Sequence, residues 1–249
     1  MNLKYLSYRK IKNLALLWSS YKLSNCLNMD FRWGRYIALS IEPTNSCNLS
    51  CIECPTGTNG LKRKSGNISK DLFLKILEEK SKDLIYLNFY FQGEPFLNKQ
   101  TVELIRMASL KKIYTSTSTN AQLIDSVLAK EIVSSGLDRI IISIDGTSQE
   151  VYQKYRVGGC LEKVIQATQY LVEEKQKQKS KISIVFQFLV FKHNEHQLGE
   201  IKSLAKQLSV DKLEIKSAQI YNFEKSNNIP TIEKKVIKET KPVWFLLRL

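Results

Sequence analysis

Three cysteines are crowded into eight residues of the chain. Cys47, Cys51 and Cys54 form a CxxxCxxC pattern directly after an apolar run. This spacing lets three thiolates converge on one inorganic centre from a single loop, whereas buried structural cysteines rarely cluster on a polar loop. Thiolate ligands are typical of zinc and of iron–sulfur clusters. The pattern therefore predicts a metal centre.

Zinc and an iron–sulfur cluster make different demands on such a loop. A structural zinc ion normally takes four protein ligands, so the fourth would have to come from elsewhere. The remaining cysteines and histidines are Cys26, Cys160, His193 and His196, and none belongs to a second short cysteine pair. A cluster held by three cysteines keeps one iron open to a small molecule, as catalytic metal sites do. We therefore favour the cluster.

Other candidate binding or catalytic residues follow later apolar runs. They are Gly93, Glu94, Pro95, Ser118, Asn120, Ser143, Asp145 and Arg156. A carboxylate such as Glu94 suits an ammonium group, and Arg156 can bind a carboxylate through two N–H groups. Each also has a plainer interpretation: Glu94 could cap a helix, Gly93 could serve a tight turn, and Arg156 could be a surface cation.

Between residues 35 and 217, short apolar runs alternate with segments of helical periodicity. The predicted strands are Tyr36–Ile41, Leu84–Phe91, Lys112–Ser118, Arg139–Ile144, Ile182–Phe191 and Lys212–Ser217. The predicted helices are Lys70–Lys80, Gln100–Leu110, Ala121–Ser135, Leu161–Lys177 and His196–Leu208. Strict alternation produces an open doubly wound sheet or a barrel, and ligands bind at the carboxyl ends of the strands in both. The candidate binding and catalytic residues follow the carboxyl ends of the predicted strands, so we predict that they share one pocket.

The cysteine loop resembles the signature of the radical S-adenosylmethionine superfamily. Other motifs recur in family order: Gly93-Glu94-Pro95 resembles a segment that contacts the methionine ammonium group, and Ser118 to Asn120 resembles a ribose-contacting segment. Ser143 to Gly146, followed by Arg156, is similar to the fourth-strand motif. The resemblance implies an α/β fold, a partial (β/α)6 TIM-like barrel. It also implies a 4Fe-4S cluster on Cys47, Cys51 and Cys54, with S-adenosylmethionine held by Gly93, Glu94, Pro95, Ser118, Asn120, Ser143, Asp145 and Arg156.

The resemblance also implies a reaction. In this family the reduced cluster passes one electron to S-adenosylmethionine, and the resulting 5′-deoxyadenosyl radical abstracts hydrogen from a substrate. The core is most similar to the branch with a SPASM or twitch extension, which includes peptide- and protein-modifying enzymes. We therefore expect a peptide, protein or other macromolecular substrate and a reductant such as flavodoxin or ferredoxin. That branch has further cysteines towards its C-terminus, whereas none follows Cys160 here.

Three regions are predicted along the chain. Residues 1–34 form a basic amphipathic N-terminal helix, in which Leu3, Leu6, Ile11, Leu14, Leu17 and Tyr21 are available for one apolar face. Residues 35–220 form the core barrel. Residues 221–249 form a basic tail that ends in the apolar run Val243–Leu247, and a truncated end is one interpretation of it.

The composition excludes some classes of protein. A hydrophobic fraction of 43% excludes a disordered chain. The net charge is +14, but 30 of the 38 cations are lysines, which are poor at forked recognition of bases, so the charge does not favour a nucleic-acid partner. An odd cysteine count favours a reducing compartment, and no apolar run approaches the ~20 residues of a membrane span. We predict a cytoplasmic protein.

Two other functions remain open at this point. One is a shortened protein that binds the cluster and S-adenosylmethionine but has little activity. The other, from a different class, is a basic binding module for RNA with zinc in the cysteine loop.

Overall fold

The computed structural model describes residues 3–217, which contain six strands and seven α-helices. The strands are β1 (Ala38–Ser40), β2 (Tyr86–Asn88), β3 (Tyr114–Thr119), β4 (Arg139–Ser143), β5 (Ser183–Val190) and β6 (Lys212–Ser217). The helices are α1 (Tyr8–Leu27), α2 (Lys70–Lys80), α3 (Thr101–Leu110), α4 (Ser126–Ser134), α5 (Gln149–Gln153), α6 (Leu161–Lys177) and α7 (Leu198–Gln207). The predicted tail, residues 221–249 with Val243–Leu247, lies outside the described residues.

The six strands form one parallel sheet in which spatial order follows chain order, β1 to β6. Each connection is long enough for a helical crossover, as parallel pairing requires. The sheet curves into the partial barrel that the family resemblance implied, which is one of the two arrangements that the alternation allowed. The carboxyl ends of all six strands therefore meet at one end of the barrel, which places their exit loops together.

The hydrophobic core lies between the outer face of the sheet and the helices. Alternate strand residues point outwards into it, among them Leu87, Ile140, Ile142, Phe186 and Phe188. Each of these five is fully buried. The intervening residues point into the barrel, and because many of them are polar, the inside of the barrel is the chemically active side.

Several element boundaries differ from those predicted. Helix α4 begins at Ser126 rather than Ala121, because the Asp125 side chain caps it by accepting from the N–H of Leu128 at 2.8 Å. Helix α7 begins at Leu198, after a short 3-10 turn at Glu195–Gln197. Strands β1 and β2 have three residues each and are shorter than predicted. Helix α5, capped by Ser148, was not predicted, since five residues carry little periodic signal.

Helix α1 packs across the amino ends of the strands, and only part of its predicted apolar face is buried there. Ile11 and Tyr21 are more than half exposed, whereas Lys10, Asn13 and Ser20 are buried. The structure thus contains the predicted helix, but the predicted apolar set is divided: Leu14 and Leu17 are half-buried, while Ile11 and Tyr21 face outwards. Among residues 3–217, no helix is long and apolar enough to span a membrane.

Candidate functional site

A cavity of about 480 Å³ opens at the carboxyl ends of the strands. That volume is within the range of small-molecule sites. The predicted site residues that line it are Cys47, Cys51, Cys54, Gly93, Glu94, Ser118, Asn120, Ser143 and Arg156. Pro95 and Asp145 do not line it. Both are buried behind its wall, Pro95 at the start of a 3-10 turn and Asp145 beneath Arg156.

The three thiols share one side of this cavity. Cys51 is buried, while Cys47 and Cys54 are half-buried. Burial raises the pKa of Cys47 and of Cys51, and for Cys51 the charge of Arg156 works in the opposite direction. Within residues 3–217, no three His, Cys, Asp or Glu side chains are arranged to hold one metal ion. A single ion needs its ligands close together, whereas a cluster of several iron and sulfide atoms needs space between them. The open cavity beside the thiols provides the space for such a cluster.

Two N–H donors from Asn120 and Arg156 approach the cysteine sulfurs. The Asn120 side chain donates towards Cys47 Sγ at 3.7 Å, and Nη1 of Arg156 donates towards Cys51 Sγ at 3.8 Å. Donors at these distances stabilise charge on sulfur, which thiolate ligands carry. These two donors favour negatively charged sulfur, in opposition to the burial that raises the pKa of Cys47 and Cys51.

The carboxylate of Glu94 accepts three hydrogen bonds from the protein itself. Its Oε1 accepts from the Thr119 hydroxyl at 2.7 Å and its Oε2 accepts from the Asn120 N–H at 2.8 Å. It also caps the 3-10 turn by accepting from the N–H of Phe96. Burial raises the pKa of Glu94 to about 7, although these donors act to lower it. The structure thus shows Glu94 joining the exits of β2 and β3.

Arg156 is held from below by a buried carboxylate. Its Nε donates to Oδ2 of Asp145 at 2.6 Å, and Oδ1 of Asp145 accepts from the Leu189 N–H at 2.6 Å. Burial acts to lower the pKa of Arg156, but the negative charge of Asp145 keeps it well above its ordinary value. The guanidinium is therefore a fixed positive charge at the wall of the cavity, next to Cys51.

Gly93 lets the β2 exit lie directly against the cysteine loop. A Cβ at this position would lie 1.9 Å from the Thr44 carbonyl oxygen and 2.9 Å from that of Ser46. The next residue, Glu94, donates its N–H to the Ser46 carbonyl at 2.8 Å. On the other side, Oε1 of Glu42 accepts from the Gly93 N–H at 3.3 Å. The absence of a side chain at Gly93 is what permits this contact between two loops.

Other residues that line the cavity were not identified from the sequence. They include Tyr155, Gln187, Leu189 and Lys216. Gln187 is a polar residue within the mainly apolar strand β5, and Nζ of Lys216 in β6 donates to its Oε1 at 2.5 Å. A polar residue at an inward-facing position of a parallel strand is a sequence signal that could have identified these cavity-lining residues.

Comparisons with known proteins agree with this geometry. A family model, the radical SAM superfamily, matches residues 41–205. The chain is 26% identical over 206 residues to PqqA peptide cyclase of Bradyrhizobium diazoefficiens, covering 80% of this chain and 52% of that protein. It is 28% identical over 169 residues to mycofactocin maturase MftC of Mycobacterium ulcerans, covering 68% of this chain and 44% of that protein.

A solved structure shares the fold. The structure of Streptococcus suis SuiB bound to S-adenosylmethionine superposes with a TM-score of 0.64 at 17% identity, covering 88% of this chain and 48% of that one. The chain thus spans about half the length of the relatives it matches. These relatives confirm the predicted kinship with the SPASM/twitch branch. Because the family model covers well over half of the sequence, the chain belongs to the radical SAM superfamily.

Proposed function

We propose that this chain provides the S-adenosylmethionine-cleaving core of an enzyme that modifies a peptide or protein. The observation that carries the proposal is the shared cavity: three cysteine thiols, a buried guanidinium and the exits of β2, β3 and β4 all face one space. A cavity of this kind suits a cluster beside a bound small molecule. The names of two relatives, a peptide cyclase and a maturase, support the substrate class.

The residues present fit a 4Fe-4S cluster. Cys47, Cys51 and Cys54 would hold it, and the N–H donors of Asn120 and Arg156 would stabilise the charge on its sulfur ligands. The cluster supplies the electron for reductive cleavage of S-adenosylmethionine, which prepares hydrogen abstraction from the substrate. That electron requires a donor protein, and a flavodoxin or ferredoxin is part of the proposal. All five cysteines are free thiols, in keeping with a reducing compartment.

The predicted S-adenosylmethionine contacts divide into two groups. Ser118, Ser143, Asn120 and Gly93 line the cavity, and we assign them to direct contact. Arg156 uses Nε for Asp145 and Nη1 for Cys51, and an arginine has five N–H donors in all, so we assign the remaining ones to an anionic group of the cofactor. Pro95 and Asp145 lie behind the cavity wall, and we assign them to positioning these residues. Glu94 lines the cavity, but its carboxylate is bonded to Thr119 and Asn120, so we assign it to positioning them as well.

The first experiment tests the cluster. After anaerobic reconstitution with iron and sulfide, the wild-type chain should show visible absorbance and bind iron. Cys51→Ala should lose both, whereas Cys160→Ala, which changes a cysteine at the start of α6 away from the cavity wall, should keep them. Equal loss in both variants would show that the ligand set is wrong. A colourless wild-type protein with stoichiometric zinc would favour the zinc-binding module.

The second experiment tests the reaction. Loaded protein incubated with S-adenosylmethionine and dithionite under anaerobic conditions should release 5′-deoxyadenosine. A loaded cluster without this product would contradict the enzymatic proposal and favour the shortened, cluster-binding form. Because iron content and product are measured separately, failure of one step is distinguished from failure of the other.

A further inference from the structure

Helix α1 is attached to the barrel through a polar face. The Lys10 ammonium donates to the Lys112 carbonyl at 2.9 Å. The Asn13 side chain donates to the Arg35 carbonyl at 3.0 Å and accepts from the Arg35 N–H at 2.7 Å. Arg9 makes two bonds to Asp83, at 2.8 and 3.0 Å. Directional bonds of this kind fix the rotation of the helix about its axis, so the opposite face is presented to the outside in a defined way.

The outward face of α1 carries an apolar stripe. We define the α1 stripe as Tyr8, Ile11, Ala15, Trp18 and Lys22, which follow one another at steps of three and four and so share one side of a helix. Tyr8 is 84% exposed, Ile11 51% and Trp18 48%. Within residues 3–217, no other element covers them. An amphipathic helix normally buries such residues, whereas α1 exposes them and buries the polar residues Lys10, Asn13 and Ser20.

Two exposed lysines accompany the α1 stripe. Residues 4–29 contain five cations and no acidic residue, but Lys4 and Arg9 pair with Asp138 and Asp83, and Lys10 is buried. Lys12 is exposed beside the stripe, and Lys22 lies within it, with its ammonium 5.6 Å from the centre of the Trp18 ring. The whole chain carries a net charge of +14, mainly from lysine. Lysine is a compact point charge that suits a diffuse anionic surface better than a forked recognition site.

We propose that the α1 stripe docks on an anionic lipid bilayer surface. Tyrosine and tryptophan beside lysine are the residues that settle at the boundary of headgroups and acyl chains. Charge complementarity selects this occupant, since a second copy of the chain would bring one lysine-rich face against another. Docking requires no folding of the helix, because its polar face is already bonded to the barrel.

The proposed orientation leaves the cavity accessible. Residues 83, 112 and 138, which contact α1 or the turn before it, immediately precede or lie close to the amino ends of β2, β3 and β4. The cavity opens at the carboxyl ends of the same strands. A bilayer against the α1 stripe would therefore lie on the side of the barrel away from the cavity mouth.

Flotation of the full-length chain with vesicles tests this proposal. Vesicles of equal parts phosphatidylcholine and phosphatidylglycerol should carry the protein upwards, whereas phosphatidylcholine alone should carry far less. Because each lysine near an anionic surface contributes about a factor of five, Lys12→Gln with Lys22→Gln should weaken partitioning roughly 30-fold. Ile11→Ser with Trp18→Ser should weaken it at least about tenfold. Added salt should release the wild type.

A matched variant controls for general loss of charge and apolar surface. Leu110→Ser with Lys163→Gln changes a 77%-exposed leucine and an exposed lysine on other helices, and it should bind as the wild type does. Thermal unfolding should show that every variant remains folded. The proposal is overturned if the wild type fails to float, if neutral and anionic vesicles bind it equally, or if the control loses binding as the stripe variants do. Concentration-dependent dimers that the stripe variants abolish, without vesicle binding, would assign the face to a second copy instead.

Discussion

At the scale of single residues, Glu94 connects the parts of the site. Its carboxylate joins the Thr119 hydroxyl, the Asn120 N–H and the Phe96 N–H, so one side chain links the exits of β2 and β3. Asn120 in turn donates towards Cys47, which places Glu94 two contacts from a proposed cluster ligand. The residue predicted to bind the cofactor is thus placed to position the groups that would bind it.

The raised pKa of Glu94 predicts a pH dependence of stability. Its folded-state pKa of about 7 lies above the ordinary value of 4.5, so the folded protein binds this proton more tightly than the unfolded chain does. This contribution to stability is fully present below the ordinary value and is lost as the pH rises through 7. From pH 5 to pH 8, the wild type should lose about 2 to 3 kcal/mol more of its unfolding free energy than Glu94→Gln does.

Urea unfolding at the two pH values measures this difference. Glu162→Gln, which removes an exposed carboxylate on α6, is the matched control and should keep the wild-type pH dependence. If Glu94→Gln and Glu162→Gln show the same dependence as the wild type, Glu94 does not titrate in this range in the folded protein.

Gly93 predicts a second residue-scale effect, on loop packing. In Gly93→Ala, the new Cβ would meet backbone atoms of Thr44 and Ser46, which cannot move without shifting the cysteine loop. We expect a loss of about 3 kcal/mol in unfolding free energy and reduced iron loading. Gly199→Ala on α7 is the control, since no atom lies within 4 Å of the place that its new Cβ would take, and it should be neutral or stabilising by up to about 1 kcal/mol. Equal effects of the two variants in urea unfolding would contradict the close contact.

At the scale of elements, the sequence predicted whether a segment is a helix or a strand better than it predicted where that element begins and ends. All six strands and five core helices lie where the alternation placed them, because parallel strands and amphipathic helices have distinct apolar periods. The signal that begins α4 at Ser126, the Asp125 cap, was present but was outweighed by apolar periodicity. The face of α1 could not be predicted, because its contacts with Asp83 and Lys112 join residues roughly 70 to 100 positions apart.

The hydrogen bonds of Asp83 hold α1 against the barrel, so the loss of Asp83 should weaken this attachment. It binds Arg9 twice and lies 3.7 Å from Arg35, and the hydrogen bonds from Arg9 are the main reason that its pKa is lowered from the ordinary value of 3.8. Its contribution is therefore present above that value and is lost as the pH falls through the lower, folded-state pKa. Asp83→Asn should release α1, seen as several-fold faster proteolysis within it at neutral pH.

The control for this experiment is Asp30→Asn. Asp30 pairs with Arg32 on the surface, where both side chains are largely exposed, so its loss should leave the proteolysis rate of α1 unchanged. Faster cleavage in neither variant would show that the polar contacts of α1 do not hold it to the barrel.

At the scale of the whole molecule, the sequence identified those cavity-lining segments that are themselves short local motifs. The cysteine loop and the β2, β3 and β4 exits were recognised because each is a short segment with its chemistry in place. Gln187, Lys216 and Tyr155 were missed, because their position at the cavity depends on which phase of each strand faces inwards and on how α5 leads into the following turn. The fold creates this part of the site by bringing distant segments together.

The same convergence predicts that ligand binding stabilises the entire barrel. The cavity wall includes residues from the exits of all six strands or the loops that follow them, so a molecule bound there contacts the folded state and not the unfolded chain. With the cluster loaded, S-adenosylmethionine at about 100 times its Kd should add about 2.7 kcal/mol. For a chain of this size that corresponds to a rise of roughly 5 to 10 °C in Tm, measured by anaerobic thermal unfolding. Methionine alone should give a smaller shift, and Cys51→Ala, which we expect to lack the cluster, should show less of a response to S-adenosylmethionine. An equal shift in Cys51→Ala would mean that the small molecule binds without the iron, and that the cysteine loop and the cavity act independently.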